Sequence, residues 1–244
     1  GNEALFSNTT GERNTAFGLW SLRSNISGNF NTAIGKSALH ENLTGSFNTA
    51  TGYETLYYNT GSNNTAHGYH ALLFNLTASN NTATGTQALS RTTTGSDNTA
   101  VGSQALLFNT TGFHNTANGF SSLSSNTTGF YNTSCGSRSL RNNTTGSYNS
   151  AYGYSALQSN TSGDFNTASG NFALTANQGG VQNTASGYNA LFENISGGGN
   201  TAIGYSALSN NWNGSFNVAI GYNANVSATT LVNTITIGTS IFNN

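Results

Sequence analysis

Four histidines, one cysteine, seven carboxylates and six cationic side chains are all that this 244-residue chain offers to acid–base, nucleophilic or metal chemistry. His40, His67, His70 and His114 read as outward or turn positions of the repeat described below. His67 and His70 in HGYH can lie close together, but no third ligand or carboxylate is placed beside them, so solvated repeat variation is expected rather than a metal centre. Serine, threonine and glycine are abundant, yet no GxSxG elbow or Walker loop occurs and no buried base is available to activate a hydroxyl. The carboxylates are too scattered to expect a glycosidase pair. Cys135 falls at a variable outward step and is expected to be inert. The NxT/S triplets at Asn25, Asn42, Asn109, Asn126, Asn143, Asn160 and Asn194 are glycosylation acceptors by motif, although NTT turns generate them automatically. The expectation is a protein that is not an enzyme and carries no cofactor or metal.

Composition narrows the partners. Charged residues are 5% of the chain, against roughly 25% in an ordinary soluble domain, and the net charge is -1. There is no basic stripe for nucleic acid or an anionic membrane, so neither nucleic acid nor membrane insertion is expected. No stretch approaches the roughly 20 apolar residues of a membrane span, and the N-terminus lacks the regions of a signal peptide. Methionine is absent even at position 1, which reads as a processed chain or an excised segment.

The elements that position these residues are set by a repeat. NTA or a close variant begins at Asn14, Asn31, Asn48, Asn64 and onward to Asn217, thirteen copies spaced by 17 except for 16 between Asn48 and Asn64. A glycine follows four residues after each Asn, from Gly18 to Gly221, and this ladder extends outward to Gly1 and Gly238. The consensus is NTAxGYxALxxNTTGSF. A 17-residue unit is too short for two packed helices, and Asn, Thr and Gly form helices poorly. It suits one coil of a parallel β-solenoid, an all-β fold in which each residue lies about 4.8 Å above its counterpart in the preceding coil. Fourteen such coils make a rod on the order of 65 to 70 Å long.

Within a coil the spacing predicts one strand at FNTAIG, a second near YxAL, and turns at NTTGS and around the invariant glycine, where positive φ is cheap. Alternation sends Asn31, Ala33 and Gly35 inward and Phe30, Thr32 and Ile34 outward. The leucine four residues past the glycine, from Leu22 to Leu208, is the expected core ladder. Stacked Asn amides can bond to their own copies, whereas stacked like charges repel, which accounts for the low charge. The missing residue of the short coil falls in the turn at Asn59 to Gly61, so strands should stay in register on both sides. Gly179-Gly180 and Gly197-Gly198-Gly199 suggest looseness or close approach of another backbone. Asn225 replaces the core leucine, so residues 1–222 are expected to be solenoid and 223–244 an irregular cap or transition.

Outward positions supply the candidate binding residues. The aromatics, 11 Tyr, 14 Phe and 2 Trp, gather at two edges of the coil. Tyr188, Tyr205 and Tyr222 follow the invariant glycine, and Tyr131, Tyr148 and Phe165 precede the repeat Asn. They read as ladders that stiffen an edge or fill a subunit interface, or else as an adhesive or glycan-stacking surface. The residue between Ala and Gly is polar or mixed in most coils, as at Ser169 and Ser186, but becomes Ile203, Ile220 and Ile237 in three consecutive coils. With Val218 these form an apolar stripe expected to meet another subunit.

At NTAxGxxAL with NTTGS turns, and again at NTAIGYSAL and AIGYNANV, the chain resembles repeat shafts of phage and prophage tail-fibre proteins and of bacterial surface fibres. Such shafts commonly precede an intramolecular chaperone domain of the endosialidase type. The NTAIG at Asn200 to Gly204 and NVAIG at Asn217 to Gly221 are also similar to the head repeats of trimeric autotransporter adhesins, whose repeats are shorter. The resemblance implies a left-handed parallel β-roll, three chains side by side, and an extracellular place on a virion or cell surface. The expected function is a structural fibre segment mediating attachment, with itself, surface glycans or a host receptor as partners. Two other classes compete. The TAT steps Thr49 to Thr51 and Thr82 to Thr84 imitate an ice-binding face, which Phe17, His67, Asn118 and Tyr152 interrupt, and a carbohydrate-cleaving spike would need carboxylates from adjacent chains.

Overall fold

The computed structural model describes residues 1–225 and 228–239. The chain is all-β and divides into two compact units, Gly1–Thr128 and Gly129–Asn244, each a parallel β-solenoid. The first unit holds β1 (Thr15–Phe17), β2 (Thr32–Ile34), β3 (Thr49–Thr51), β4 (Thr65–His67), β5 (Thr82–Thr84), β6 (Thr99–Val101) and β7 (Thr116–Asn118). The second holds β8 (Thr133–Cys135), β9 (Ser150–Tyr152), β10 (Thr167–Ser169), β11 (Thr184–Ser186), β12 (Thr201–Ile203), β13 (Val218–Ile220) and β14 (Ile235–Ile237). Within each unit every strand pairs in parallel with its sequence neighbour, like residue on like, as Thr15 with Thr32 and Thr184 with Thr201.

Only three residues per coil are strand, and the second strand expected near YxAL is not formed. That segment alternates into the left-handed region, with Ser37 at φ 58° and Leu39 at φ 51°. It is still bonded coil to coil: the Ser37 N–H donates to the Leu19 carbonyl at 2.8 Å and the Leu39 N–H to the Thr55 carbonyl at 3.0 Å. A left-handed conformation costs a leucine roughly 1–2 kcal/mol, and burying its side chain contributes about 1.5–3 kcal/mol. The leucine ladder therefore gains little net from its own burial. The stacked hydrogen bonds must supply much of the rest.

Asparagine supplies those bonds, in two ladders rather than one. The Asn48 N–H donates to Asn31 Oδ1 at 2.9 Å, while Asn48 Nδ2 reaches across to the Gly61 carbonyl at 2.9 Å and ties strand to turn. The NTT asparagines form the second ladder: Asn42 Nδ2 donates to Asn25 Oδ1 at 2.9 Å and to the Gly45 carbonyl at 2.8 Å. Asn25, Asn42, Asn109, Asn126, Asn143, Asn160 and Asn194, read as possible glycosylation acceptors, are fully buried, so the folded solenoid cannot present their amides to a transferase. The second ladder breaks where Thr92 replaces Asn, leaving Asn75 Oδ1 and Thr92 Oγ1 buried without a partner.

The two glycines of a coil serve different ends. Gly35, after the strand, has φ 133°, where a side chain is strained. Gly45, in the NTTG-type turn, is required by contact instead: a Cβ there would meet the next coil's Gly61 carbonyl oxygen at 2.3 Å. The positive φ expected around the invariant glycine is found there, and a further one falls on the residue before the repeat Asn, such as Phe47 at φ 59°.

The inward and outward assignment holds. Asn31 and Ala33 are buried, as are Asn98, Ala100 and Leu106, whereas Ile34 is exposed. The short coil keeps its register, with Thr49 opposite Thr65 and Thr65 opposite Thr82. The deletion lies in the turn, where Asn59 Nδ2 bonds the carbonyl two residues on instead of three. Of the glycine-rich turns, Gly180 and Gly197 lie against neighbouring carbonyls, and the Phe216 ring covers Gly199. The boundary expected after residue 222 falls inside the second unit. Asn225 stands where the leucine ladder ends, yet β14 still pairs with β13; residues 226–227 and 240–244 of the expected cap lie outside the described residues.

Candidate functional site

In the second unit the inward steps are occupied mostly by ladder residues, with exceptions such as Ser134 at an Ala step, and most of the variation falls on the outward steps. There the sequence-predicted residues come together. Tyr188, Tyr205 and Tyr222 form one stack with ring centroids 5.2 Å apart at each step and planes within 13°. Tyr131, Tyr148 and Phe165 form another, at 5.3 and 4.9 Å. All six are exposed. The separation follows from the coil rise, which holds copies of one ring at van der Waals distance.

Between these edges Ile203, Ile220 and Ile237 lie in register on adjacent strands. They are 44%, 39% and 74% exposed, and Val218 is half-buried. Phe216, Ile220 and Tyr222 of the β13 coil and Ile235 of the next extend the apolar surface across the outer face. Ser169 and Ser186, at the same step in β10 and β11, are exposed and polar.

The first unit concentrates the polar chemistry that the sequence had read as scattered. Two columns of coil positions converge. One stacks Glu3, Trp20, Ser37 and Glu54, all at positive φ; the other stacks Arg23, His40 and Tyr57. Ser37 is buried where its column neighbours are large, which leaves a notch of about 400 Å³ between Trp20 and Glu54. Lys36 lines its rim, with Nζ 5.7 Å from the Trp20 ring centroid and 5.4 Å from that of Tyr53. Arg23 Nε donates to Glu3 Oε2 at 2.7 Å.

Two histidines differ from expectation here. His40 is buried rather than outward: its ring stacks on Tyr57 at 4.7 Å, and Nδ1 lies 2.8 Å from Glu41 Oε1. A carboxylate does stand beside HGYH, because Glu54, one coil earlier, places Oε2 2.9 Å from His70 Nε2. The signal was available in the repeat: Glu54 and His70 occupy one position in successive coils, 16 residues apart across the shortened turn. Burial pushes the Tyr57 phenol up, with Tyr58, Glu41 and Glu54 adding to it, and a hydrogen bond with Glu54 is the main cause raising Tyr53. Both phenols are therefore neutral at physiological pH.

Cys135 is free and exposed. Among the described residues no group of three or more His, Cys, Asp or Glu could hold a metal ion, and no helix is long and apolar enough to cross a membrane. The chain matches no protein-family model, no curated protein and no solved structure.

Proposed function

We propose that the chain is a structural, non-enzymatic fibre segment of a tail fibre or cell-surface adhesin, assembled with copies of itself, as a trimer, and mediating attachment outside the cell. The observation that carries this reading is the stripe of Ile203, Ile220 and Ile237, which aligns three isoleucines in consecutive coils at an outward step that is polar or mixed elsewhere. Covering the part of each isoleucine that the chain leaves exposed would contribute about 0.5–2 kcal/mol, and a contiguous apolar stripe is the usual mark of an interaction surface. The Tyr188–Tyr205–Tyr222 stack lies beside it and supplies ring area with little side-chain entropy to lose. Parallel in-register coils suit a shaft because each coil leans only on its neighbours, so length can be added without redesigning a core.

Analytical ultracentrifugation of the wild type and Ile220→Asp tests this. The wild type is expected to sediment as a defined oligomer and the variant as monomer with the same circular dichroism spectrum. A wild-type monomer at high concentration, or an assembled variant of unchanged thermal stability, would overturn the reading. Electron microscopy supplies a second test: compact globular particles with no fibre would also defeat it.

A further inference from the structure

We propose that the notch over Ser37 in the first unit is a binding site for one uncharged pyranose residue of a saccharide. With charged residues at 5% overall, the repeat nevertheless sets Glu3, Glu54, Arg23 and Lys36 around one cavity of about 400 Å³, a volume in the range of small-molecule sites. The cavity exists because Ser37 is small where its neighbours in the column, Trp20 and Glu54, are large.

The charges then select the ligand. Two carboxylates and two cations cancel, so neither an anion nor a cation is attracted as such. An apolar guest would strip water from all four without replacing its hydrogen bonds. A pyranose fits each constraint: its vicinal hydroxyls both donate and accept, and its C–H face packs on rings. The lining groups are held by partners that leave further hydrogen-bonding capacity. Arg23 uses Nε on Glu3, leaving its two Nη groups; Glu54 meets His70 at Oε2 and bonds the Tyr53 phenol, and its two oxygens together offer about four lone-pair sites. Lys36 makes no ion pair among the described residues and is held only over the Trp20 and Tyr53 rings. Trp20 and Tyr57 contribute aromatic surface to the lining.

The same geometry argues for binding without cleavage. Glu3 and Glu54 stand in one column with their backbones three coils apart, about 14 Å at the solenoid rise, and each carboxylate is already bonded to its own partner, Arg23 or His70, whereas a glycosidase needs its two carboxyls roughly 5 to 9.5 Å apart across the scissile bond. One residue in an open notch implies weak affinity, on the order of 1 mM, with a longer glycan or several copies of the chain adding avidity. Use of the site in attachment rests on the fibre reading; the binding itself does not, and the sedimentation measurement tests that reading separately.

The test uses the full chain carrying Trp212→Phe, so that Trp20 alone reports by fluorescence, with saturation-transfer NMR as a second readout. Methyl glucoside, methyl mannoside and methyl galactoside are titrated to tens of millimolar. At least one is expected to perturb Trp20 and to receive saturation. Ser37→Phe fills the notch with a ring that the column already accepts at Trp20, also at positive φ, and is expected to weaken the response about tenfold or more. Lys36→Ala removes an exposed side chain that makes no ion pair and is expected to weaken it with unchanged melting, which keeps the proposal falsifiable if Ser37→Phe fails to fold. No response to any neutral glycoside overturns the proposal. So does a response confined to glucuronate or to a free amino acid, or one that both variants retain in full.

Discussion

The coils around β2 to β4 and those around β12 and β13 share their Asn and Ala ladders and differ most in the charged groups they set outside. Both stack Asn and Ala inward with the same hydrogen bonds, as Asn48 on Asn31 and Asn217 on Asn200, and both expose a tyrosine stack and an isoleucine at the strand step. Outward, the first set carries Lys36, Glu41, Glu54 and His70, whereas the second carries Ile203, Ile220, Tyr205 and Tyr222. The difference teaches that in this repeat stability and recognition occupy separate residues. Inward steps are bound by coil-to-coil geometry, whereas outward steps are free to differ because they meet only neighbouring side chains of the surface, as Arg23 meets Glu3.

The largest effects should therefore come from inward changes, whichever unit they fall in. Gly35→Ala places a methyl 2.3 Å from the Gly52 carbonyl oxygen at a φ of 133°. It is expected to prevent folding or lower stability by more than about 3 kcal/mol. Leu106→Ala and Leu191→Ala, one in each unit and both fully buried, should each cost about 2–5 kcal/mol by chemical denaturation. A loss below about 1 kcal/mol at either site would show that the two interiors are not equivalent.

Ile220→Asp should act on the assembly and hardly on the isolated chain, because Ile220 is already 39% exposed before any partner covers it. Each assembled chain is expected to lose about 1 kcal/mol from the 39% of Ile220 that a partner would newly cover, with a larger loss where the carboxylate is buried unpaired. The check is a melting temperature that rises with protein concentration in the wild type and not in the variant. Ser186→Asp, at the equivalent outward step two coils earlier in a polar setting, is the matched control and should change little.

Thr92→Asn tests the interior in the stabilising direction. Asn75 Oδ1 has lost its donor, and Asn109 Nδ2 bonds the Gly112 carbonyl. An asparagine at 92 can donate to Asn75 and accept from Asn109, restoring the pattern seen from Asn25 to Asn42. The expected gain is about 1–2 kcal/mol, the usual penalty of an orphaned buried polar group, read as a raised denaturation midpoint with an unchanged slope. No gain would mean that the second Asn ladder contributes less than its burial suggests.

The interior was legible in the sequence because a 17-residue stack repeats its physics at every coil. Asn31, Ala33 and Leu39 announce themselves by recurrence, and alternation then orients them. Two features were hidden for the same reason. The NTT asparagines recur almost as strictly as the NTA ones, Thr92 being an exception, but their motif resembles an exposed turn, and only the amide-to-amide bond reveals a second ladder. The left-handed φ at Leu39 and Phe47 is likewise imposed by the stack, since local propensity opposes it. The candidate sites depend on non-recurring residues. The isoleucine stripe was visible because one type persists through three coils. The notch at Ser37 was not, because it is made by what is missing from a column, and because Glu54 and His70 face each other only once the 16-residue coil is aligned.

The smallest expected effect separates two roles for the tyrosine stack. Tyr205 has a ring on both sides, whereas Tyr222 stacks on Tyr205 alone. If stacking stiffens the edge, Tyr205→Ala removes two contacts and Tyr222→Ala one. With about 0.5–1.5 kcal/mol for a well-packed aromatic pair, and less for rings this exposed, Tyr205→Ala should cost about 1 kcal/mol and Tyr222→Ala about half of that. If the rings serve mainly to meet a partner, both variants should match the wild type as isolated chains and differ only once assembled. Urea unfolding at a concentration below assembly distinguishes the two. The ratio of the losses is the decisive quantity, because side-chain entropy and solvation affect both tyrosines alike while the number of stacked neighbours does not. We expect a ratio near two, which would show that the Tyr188–Tyr205–Tyr222 edge stabilises the isolated chain in addition to the ring area it offers a partner.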